Sequence, residues 1–191
     1  MIRFDRRQLV AFVRAIDRSM DRPTTVVVIG GAAAALAYDA GTKTADIDVW
    51  QGLSAGLLEA AERARHETGL PIQIGSAAVA DLPLNYQDRL RPARGLRLEK
   101  LGLIFPDKYD LALAKAVRGF QHDLDAIEGI HRRHRLSRST LIGRFEEEMS
   151  AAIIDPQKLR LNMAMLAARL YGFEEGRRLA VRWGVPVPTG R

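Results

Sequence analysis

Two aspartates one residue apart, Asp46-Ile47-Asp48, have the types and spacing that could do chemistry. On a β-strand, residues i and i+2 project from the same face. The two carboxylates then point together while Ile47 turns into the core behind them. Like charges so close repel unless something positive lies between them. A hard divalent cation suits that place, because Mg2+ takes oxygen ligands and is often held by one or two carboxylates plus substrate phosphates. Taken alone, the pair also reads as two solvated aspartates at a strand end.

Gly30-Gly31 lies between a β-branched run and an alanine-rich one. A strand-to-helix turn of that kind presents backbone N–H groups at the positive end of a helix dipole, where an anion can sit. Glycine lets a phosphate approach the main chain closely. A tight turn with no ligand is the alternative reading. Neither G-x-G-x-x-G nor G-x-x-x-x-G-K-[ST] occurs, which weighs against dinucleotide-binding and P-loop sites.

The elements that must position these residues follow from periodicity. Asp5 to Met20 carries Leu9, Phe12, Val13 and Ile16 at helical spacing, and Pro23 marks a stop. Thr25–Ile29 reads as a buried strand, Ala32–Tyr38 as a helix closed near Gly41, Ala45–Trp50 as a second strand and Ser54–Glu67 as a helix. Pro71–Gly75 is β-like, and Ala77–Gly95 reads as a loop with one short helical or strand piece. Leu96–Phe105 alternates as a strand, and Asp107 or Asp110 is a candidate cap for the next helix. The remainder is helical: Tyr109–Arg118, Leu124–Arg133, Ser139–Ile154, Pro156–Tyr171 and Glu174–Trp183, with Ser137 and Asp155 as helix starts. The expected class is α+β, a mixed sheet flanked by helices with a helical C-terminal part. The expected division is a core over 1–127 and a helical region over 128–191 packed on it.

Composition narrows the classes. The 191 residues are 47% hydrophobic, which supports a sizeable core and argues against wholesale disorder. The formal net charge of +6 favours phosphate-rich partners. The absence of cysteine excludes disulfides, thiolate zinc sites and cysteine nucleophiles. A charged N-terminus and the lack of a long apolar run lead to the expectation of a soluble, cytoplasmic protein with no membrane partner. The four histidines, His66, His122, His131 and His134, have no zinc-like spacing. The run His131-Arg132-Arg133-His134-Arg135 reads either as a grip on a nucleic-acid backbone or as a solvated helix end. Arg89, Arg91, Arg94 and Arg97 could line one side of a cleft, and Trp50 and Trp183 are more often packing residues than stacking platforms.

Taken together, the first strand, Gly30-Gly31, the short helix and Thr42-Lys43-Thr44-Ala45-Asp46-Ile47-Asp48 resemble the first motif of the polymerase-β-like nucleotidyltransferase superfamily. More narrowly, they look like the minimal bacterial nucleotidyltransferases of the AbiEii type, which are toxin-like. A second block, Pro106-Asp107-Lys108-Tyr109-Asp110-Leu111-Ala112-Leu113-Ala114-Lys115, resembles the helix that delivers a lysine to the active site in that family. Arg118 and Asp123 follow at about the expected places, so the resemblance covers roughly residues 26–127.

The resemblance implies a catalytic set of Asp46, Asp48, Lys115 and Asp123. The two aspartates would hold Mg2+. Gly30, Gly31, Lys43 and Thr44 would hold the nucleotide phosphates, Lys115 and Arg118 would meet the triphosphate, and Asp123 would orient the lysine or assist the acceptor. The implied reaction moves an NMP from an NTP to a hydroxyl on RNA (tRNA in related toxins) or on protein, with a cognate antitoxin as a further partner. Two positions depart from the pattern. Thr42 stands where an arginine is usual, and Gln73 stands near the expected third acid, with Asp81 as the other candidate. The second departure supports an alternative, a catalytically reduced module that binds nucleotide, RNA or a partner protein. A sugar-nucleotide transferase using Asp-x-Asp is a third reading, for which the chain leaves little room for an acceptor domain.

Overall fold

The computed structural model describes residues 2–77 and 80–188. By its internal contacts the chain groups into two compact units, one of Met1–Ala80 with Gln87–Asp107 and one of Asp81–Tyr86 with Lys108–Arg191. The class is α+β, a mixed sheet with flanking helices and a helical C-terminal part. None of the described helices is long and apolar enough to cross a membrane.

The first unit opens with α1 (Arg6–Ser19). Its start is fixed by a capping box in which the Gln8 N–H donates to Asp5 Oδ1 and the Asp5 N–H donates to Gln8 Oε1. Leu9, Phe12, Val13 and Ile16 form its buried stripe, as their spacing predicts. Then come β1 (Thr24–Ile29), α2 (Gly30–Tyr38), β2 (Asp46–Gln51), α3 (Ala55–Thr68), β3 (Gln73–Ser76), β4 (Arg91–Pro92) and β5 (Leu101–Phe105). The strand order is β3-β2-β1-β5-β4. β1 runs antiparallel to β2 and parallel to β5, while β2 runs parallel to β3. The β-branched run of β1 is central, and Val26, Val27, Val28 and Ile29 are all buried in it. The segment left irregular by its prolines and arginines holds both a 3-10 turn, Tyr86–Arg89, and the short edge strand β4.

Two elements are shorter than periodicity predicts. The strand expected over Leu96–Phe105 begins only at Leu101. The buried carboxylate of Asp17, near the end of α1, accepts the backbone N–H groups of Glu99, Lys100 and Leu101 at 2.7–3.0 Å, so this stretch bends around an anion before it joins the sheet. The helix expected over Ser139–Ile154 ends at Glu148 as α6 (Arg138–Glu148). Beyond it the Ile153 N–H is taken by Asp81 Oδ1, and Asp155 caps the next helix, so the intervening backbone is satisfied outside a helix.

The second unit is formed by α4 (Lys108–Arg118), α5 (Gln121–His134), α6, α7 (Pro156–Tyr171) and α8 (Phe173–Trp183). Asp155 accepts the N–H groups of Gln157 and Lys158, with Pro156 at the first helical position, as expected. Ser137 is the α6 N-cap by position but makes no side-chain cap bond. Asp110 lies inside α4 and not ahead of it. It is fully buried in the first turn and accepts Arg144 Nη1 at 3.0 Å. The basic run ending α5 is tied into the fold: Lys108 Nζ donates to the carbonyls of His134 and Arg135, and His131 Nδ1 accepts the Leu136 N–H.

Burial works against ionisation of Asp17, yet the N–H groups of Glu99, Leu101 and Lys100 outweigh it and hold its pKa below the usual carboxylate value. The ionised form thus stabilises the fold fully above the unfolded pKa of about 3.9, and that contribution is lost as pH falls through the lower folded value. Asp17→Ala leaves three N–H groups without their acceptor and should cost about 2–4 kcal/mol. Urea unfolding of wild type and variant at pH 7 and at pH 3 checks this, with the difference between them shrinking at the lower pH.

Candidate active site

The β1–α2 turn and the start of β2 make one tightly fitted assembly in the first unit. Ile29 pairs with Asp48 across the antiparallel ladder, so the chain enters α2 directly beside that carboxylate. Gly30 has φ +69, and a β-carbon there would lie 2.6 Å from Asp48 Oδ2. A β-carbon on Gly31 would lie 2.5 Å from Thr44 Oγ1. Thr44, itself buried, donates through Oγ1 toward the backbone oxygen and Oδ1 of Asp46 at 3.3 and 3.2 Å. The two glycines therefore meet the two aspartates, one directly and one through Thr44.

Backbone bonds fix Thr44 from the far side. The Phe4 N–H donates to Thr44 O at 2.7 Å, and the Thr44 N–H to Phe4 O at 3.1 Å. Phe4 has no chemical signal in the sequence; only the isolated bridge reveals its role. Lys43, next to Thr44, is exposed. Ile29 precedes α2 without a side-chain cap, so no side chain of the cap residue covers the N–H groups of its first turn.

Along β2, Ile47 and Val49 are buried, whereas Asp46 is exposed and Asp48 and Trp50 are half-buried. This is the alternation expected of a strand with one core face, and it places both carboxylates and Trp50 on the other face. In the parallel β2–β3 ladder Asp46 pairs with Gln73 and Asp48 with Gly75. Gln73 therefore occupies the register position beside Asp46, where its amide can hydrogen-bond but supplies no charge. A β-carbon on Gly75 would meet no heavy atom within 4 Å, so this face has open room beside Asp48. Asp81 groups with the helical unit and is engaged by the Ile153 N–H.

The donor set on this face, two carboxylates with room beside them and glycine amides at a helix start, fits a hard cation accompanied by phosphate. Among the described residues no group of three or more acidic or histidine side chains gathers around one point. Asp46 and Asp48 could supply two ligands, and substrate oxygens and water would have to supply the rest.

Lys115, Arg118 and Asp123 come together in the second unit. Asp123 is fully buried at the start of α5, and Lys115 on α4 is only 3% exposed. Lys115 Nζ donates to Asp123 Oδ1 at 3.0 Å, and Arg118 donates to both carboxylate oxygens, Nη2 to Oδ1 at 2.6 Å and Nε to Oδ2 at 3.1 Å. Two cations thus share one buried carboxylate, and Arg118, with a half-exposed side chain, is the outward one. The turn joining α4 to α5 is held by Asn162, whose Nδ2 donates to Ala116 O and Val117 O. Gly119, at φ +64, passes so close that a β-carbon would lie 2.6 Å from Asn162 Nδ2.

Gly31→Ala drives a methyl group into the buried Thr44 side chain and should cost about 1–3 kcal/mol. Gly75→Ala enters open space and should stay within about 0.5 kcal/mol of wild type. Chemical denaturation of both variants measures the contrast, and equal stabilities would contradict the close approach of the turn to Thr44.

A family model described as "Nucleotidyltransferase of unknown function (DUF6036)" matches residues 7–168, a span that contains the glycine turn, the Asp46–Asp48 strand and the Lys115–Asp123 helices. No curated protein and no solved structure matches the chain. With most of its length matched, including both groups of site residues, the chain belongs to this family of nucleotidyltransferases of unknown function.

Proposed function

We propose that the protein transfers an NMP from an NTP to a hydroxyl group, with Mg2+ held by Asp46 and Asp48. The observation that carries this reading is the fit of Gly30 against Asp48 and of Gly31, through Thr44, against Asp46. It puts main-chain N–H donors and acidic ligands side by side, the combination that a metal-bound triphosphate requires. The resemblance of the two motifs and the family membership support it further.

Gly30 and Gly31 would offer N–H groups to the phosphates, with the Thr44 hydroxyl and the Lys43 charge beside them. By the resemblance, Lys115 would bring positive charge to the triphosphate, with Asp123 as its positioning residue. The acceptor hydroxyl oxygen attacks the α-phosphorus, the bond to the β-phosphate bridge breaks, and pyrophosphate leaves. The hydroxyl proton passes to solvent, since Gln73 is no base. Bound Mg2+ would neutralise charge on the phosphates and stabilise the in-line displacement. The acceptor hydroxyl is on RNA, tRNA included, or on protein, and the cellular role is that of a toxin with a cognate antitoxin.

Asp46→Asn keeps the shape of the side chain and removes a charged ligand, so Mg2+-dependent transfer from labelled NTP should fall at least about a hundredfold. Wild-type protein without transfer on any NTP, RNA or protein pool, or a variant as active as wild type, overturns the assignment.

The register pairing of Gln73 with Asp46 favours a second reading, a module that binds nucleotide, RNA or a partner protein with reduced catalysis. Gln73→Glu adds a carboxylate at that position and should tighten Mg2+ or Mn2+ binding about tenfold, because ligand charge count sets affinity at such sites. Calorimetry of wild type and variant with metal and NTP separates the readings: tight Mg2+-dependent NTP binding with turnover supports the enzyme, and binding indifferent to Mg2+ without turnover supports the module.

A further inference from the structure

The α4–α5 turn carries a feature that nucleotide transfer from the Asp46–Asp48 site does not use. Phe120 is 59% exposed although its backbone is fixed: its carbonyl accepts the N–H groups of Asp123 at 2.9 Å and Leu124 at 3.1 Å as α5 begins. Its ring stacks on His122, with centroids 5.7 Å apart and planes 19° from parallel. The His122 side chain is 53% exposed, and its Nε2 lies 3.8 Å from Asp123 Oδ2. Arg118, on the same carboxylate, is half-exposed. A rigid turn thus presents a stacked aromatic pair to solvent beside a half-exposed guanidinium.

We infer that Phe120, His122 and Arg118 form a platform for an unpaired base of single-stranded RNA. The Phe120 ring does not stand singly: it stacks on His122, which approaches the same carboxylate that Arg118 holds. A base has a flat face that stacks on such a ring whatever its identity, and the phosphate beside it meets the arginine. The platform lies open on the surface, whereas sites for mononucleotides are concave and bury most of their ligand. That openness favours a polymer strand, and the net charge of +6 matches its backbone. The inference deepens the proposed function, on which it rests for RNA as acceptor, by naming where and how the strand is gripped.

The test uses the full chain and a fluorescently labelled, unstructured RNA oligonucleotide, with anisotropy measured in EDTA and without nucleotide. Under those conditions the result does not depend on transfer, so failure of the platform and failure of the transferase reading are distinguishable. Phe120→Ala and Phe120→Leu should each weaken binding on the order of tenfold to a hundredfold, and Phe120→Trp should keep wild-type affinity. Thermal melts followed by circular dichroism confirm that the exposed substitutions leave the fold intact. Wild-type affinity in the alanine and leucine variants overturns the platform. So does equal competition by a duplex of the same length, whose stacked bases leave only the backbone to bind. Loss of NTP affinity in Phe120→Ala with RNA binding unchanged also overturns it and assigns the ring to the mononucleotide.

Discussion

A methyl group at Gly30 would sit 2.6 Å from Asp48 Oδ2, and one at Gly31 2.5 Å from Thr44 Oγ1. The absence of two side chains therefore sets how closely the start of α2 approaches the acidic strand. Main-chain N–H donors and carboxylates are brought together at a separation that any larger residue prohibits. The surroundings serve that approach: the central strand β1 feeds the turn, the ladder places Ile29 opposite Asp48, and Phe4 pins Thr44 through a pair of backbone bonds.

The acidic residues divide by what satisfies them. Asp17 is buried against three backbone N–H groups, Asp110 against Arg144, and Asp123 against Lys115 and Arg118. Asp17 and Asp110 tie together segments distant in sequence, Asp123 ties two successive helices, and each is bonded inside the protein. Asp46 and Asp48 are less buried and lie on the sheet face that β2 turns away from the core, beside the space left by Gly75. Burial of a carboxylate demands internal partners, whereas a carboxylate on an open face can offer oxygens to a ligand. That difference in burial distinguishes the three buried aspartates from the pair proposed to hold metal.

The cations follow a related rule. Lys115 is almost wholly buried and fixed by Asp123, whereas Arg118 shares the same carboxylate and extends half its side chain outward. One buried anion thereby orients two cations at different depths. The same turn fixes the backbone of Phe120 and leaves its ring in water. Positively charged and aromatic groups presented together on a rigid turn have the composition that single-stranded nucleic acid recognises.

Local pattern determined much of this protein. The amphipathic stripe of α1, the β-branched run of β1, the Asp155-Pro156 start of α7 and the common face of Asp46 and Asp48 all follow from neighbours in sequence, because helix and strand periods and caps are short-range. The resemblance to nucleotidyltransferases was legible for the same reason, and the family match supports it at that level. Other features depend on contacts between distant residues. Leu96–Phe105 alternates like one strand, but Asp17, more than eighty residues earlier, takes the N–H groups of Glu99, Lys100 and Leu101, where β5 begins. Ser139–Ile154 reads as one helix, but Asp81 takes the Ile153 N–H and Asp155 starts the next helix. The alignment of Gln73 with Asp46 is a matter of strand register, which no local spacing encodes. Whether a side chain such as Phe120 is covered or exposed likewise depends on what the rest of the chain packs against it. Sequence alone thus determined the periodic elements and the chemical types at the site, and tertiary structure decided register, burial and partners, because those are set by which distant atoms compete for the same hydrogen bonds and the same space.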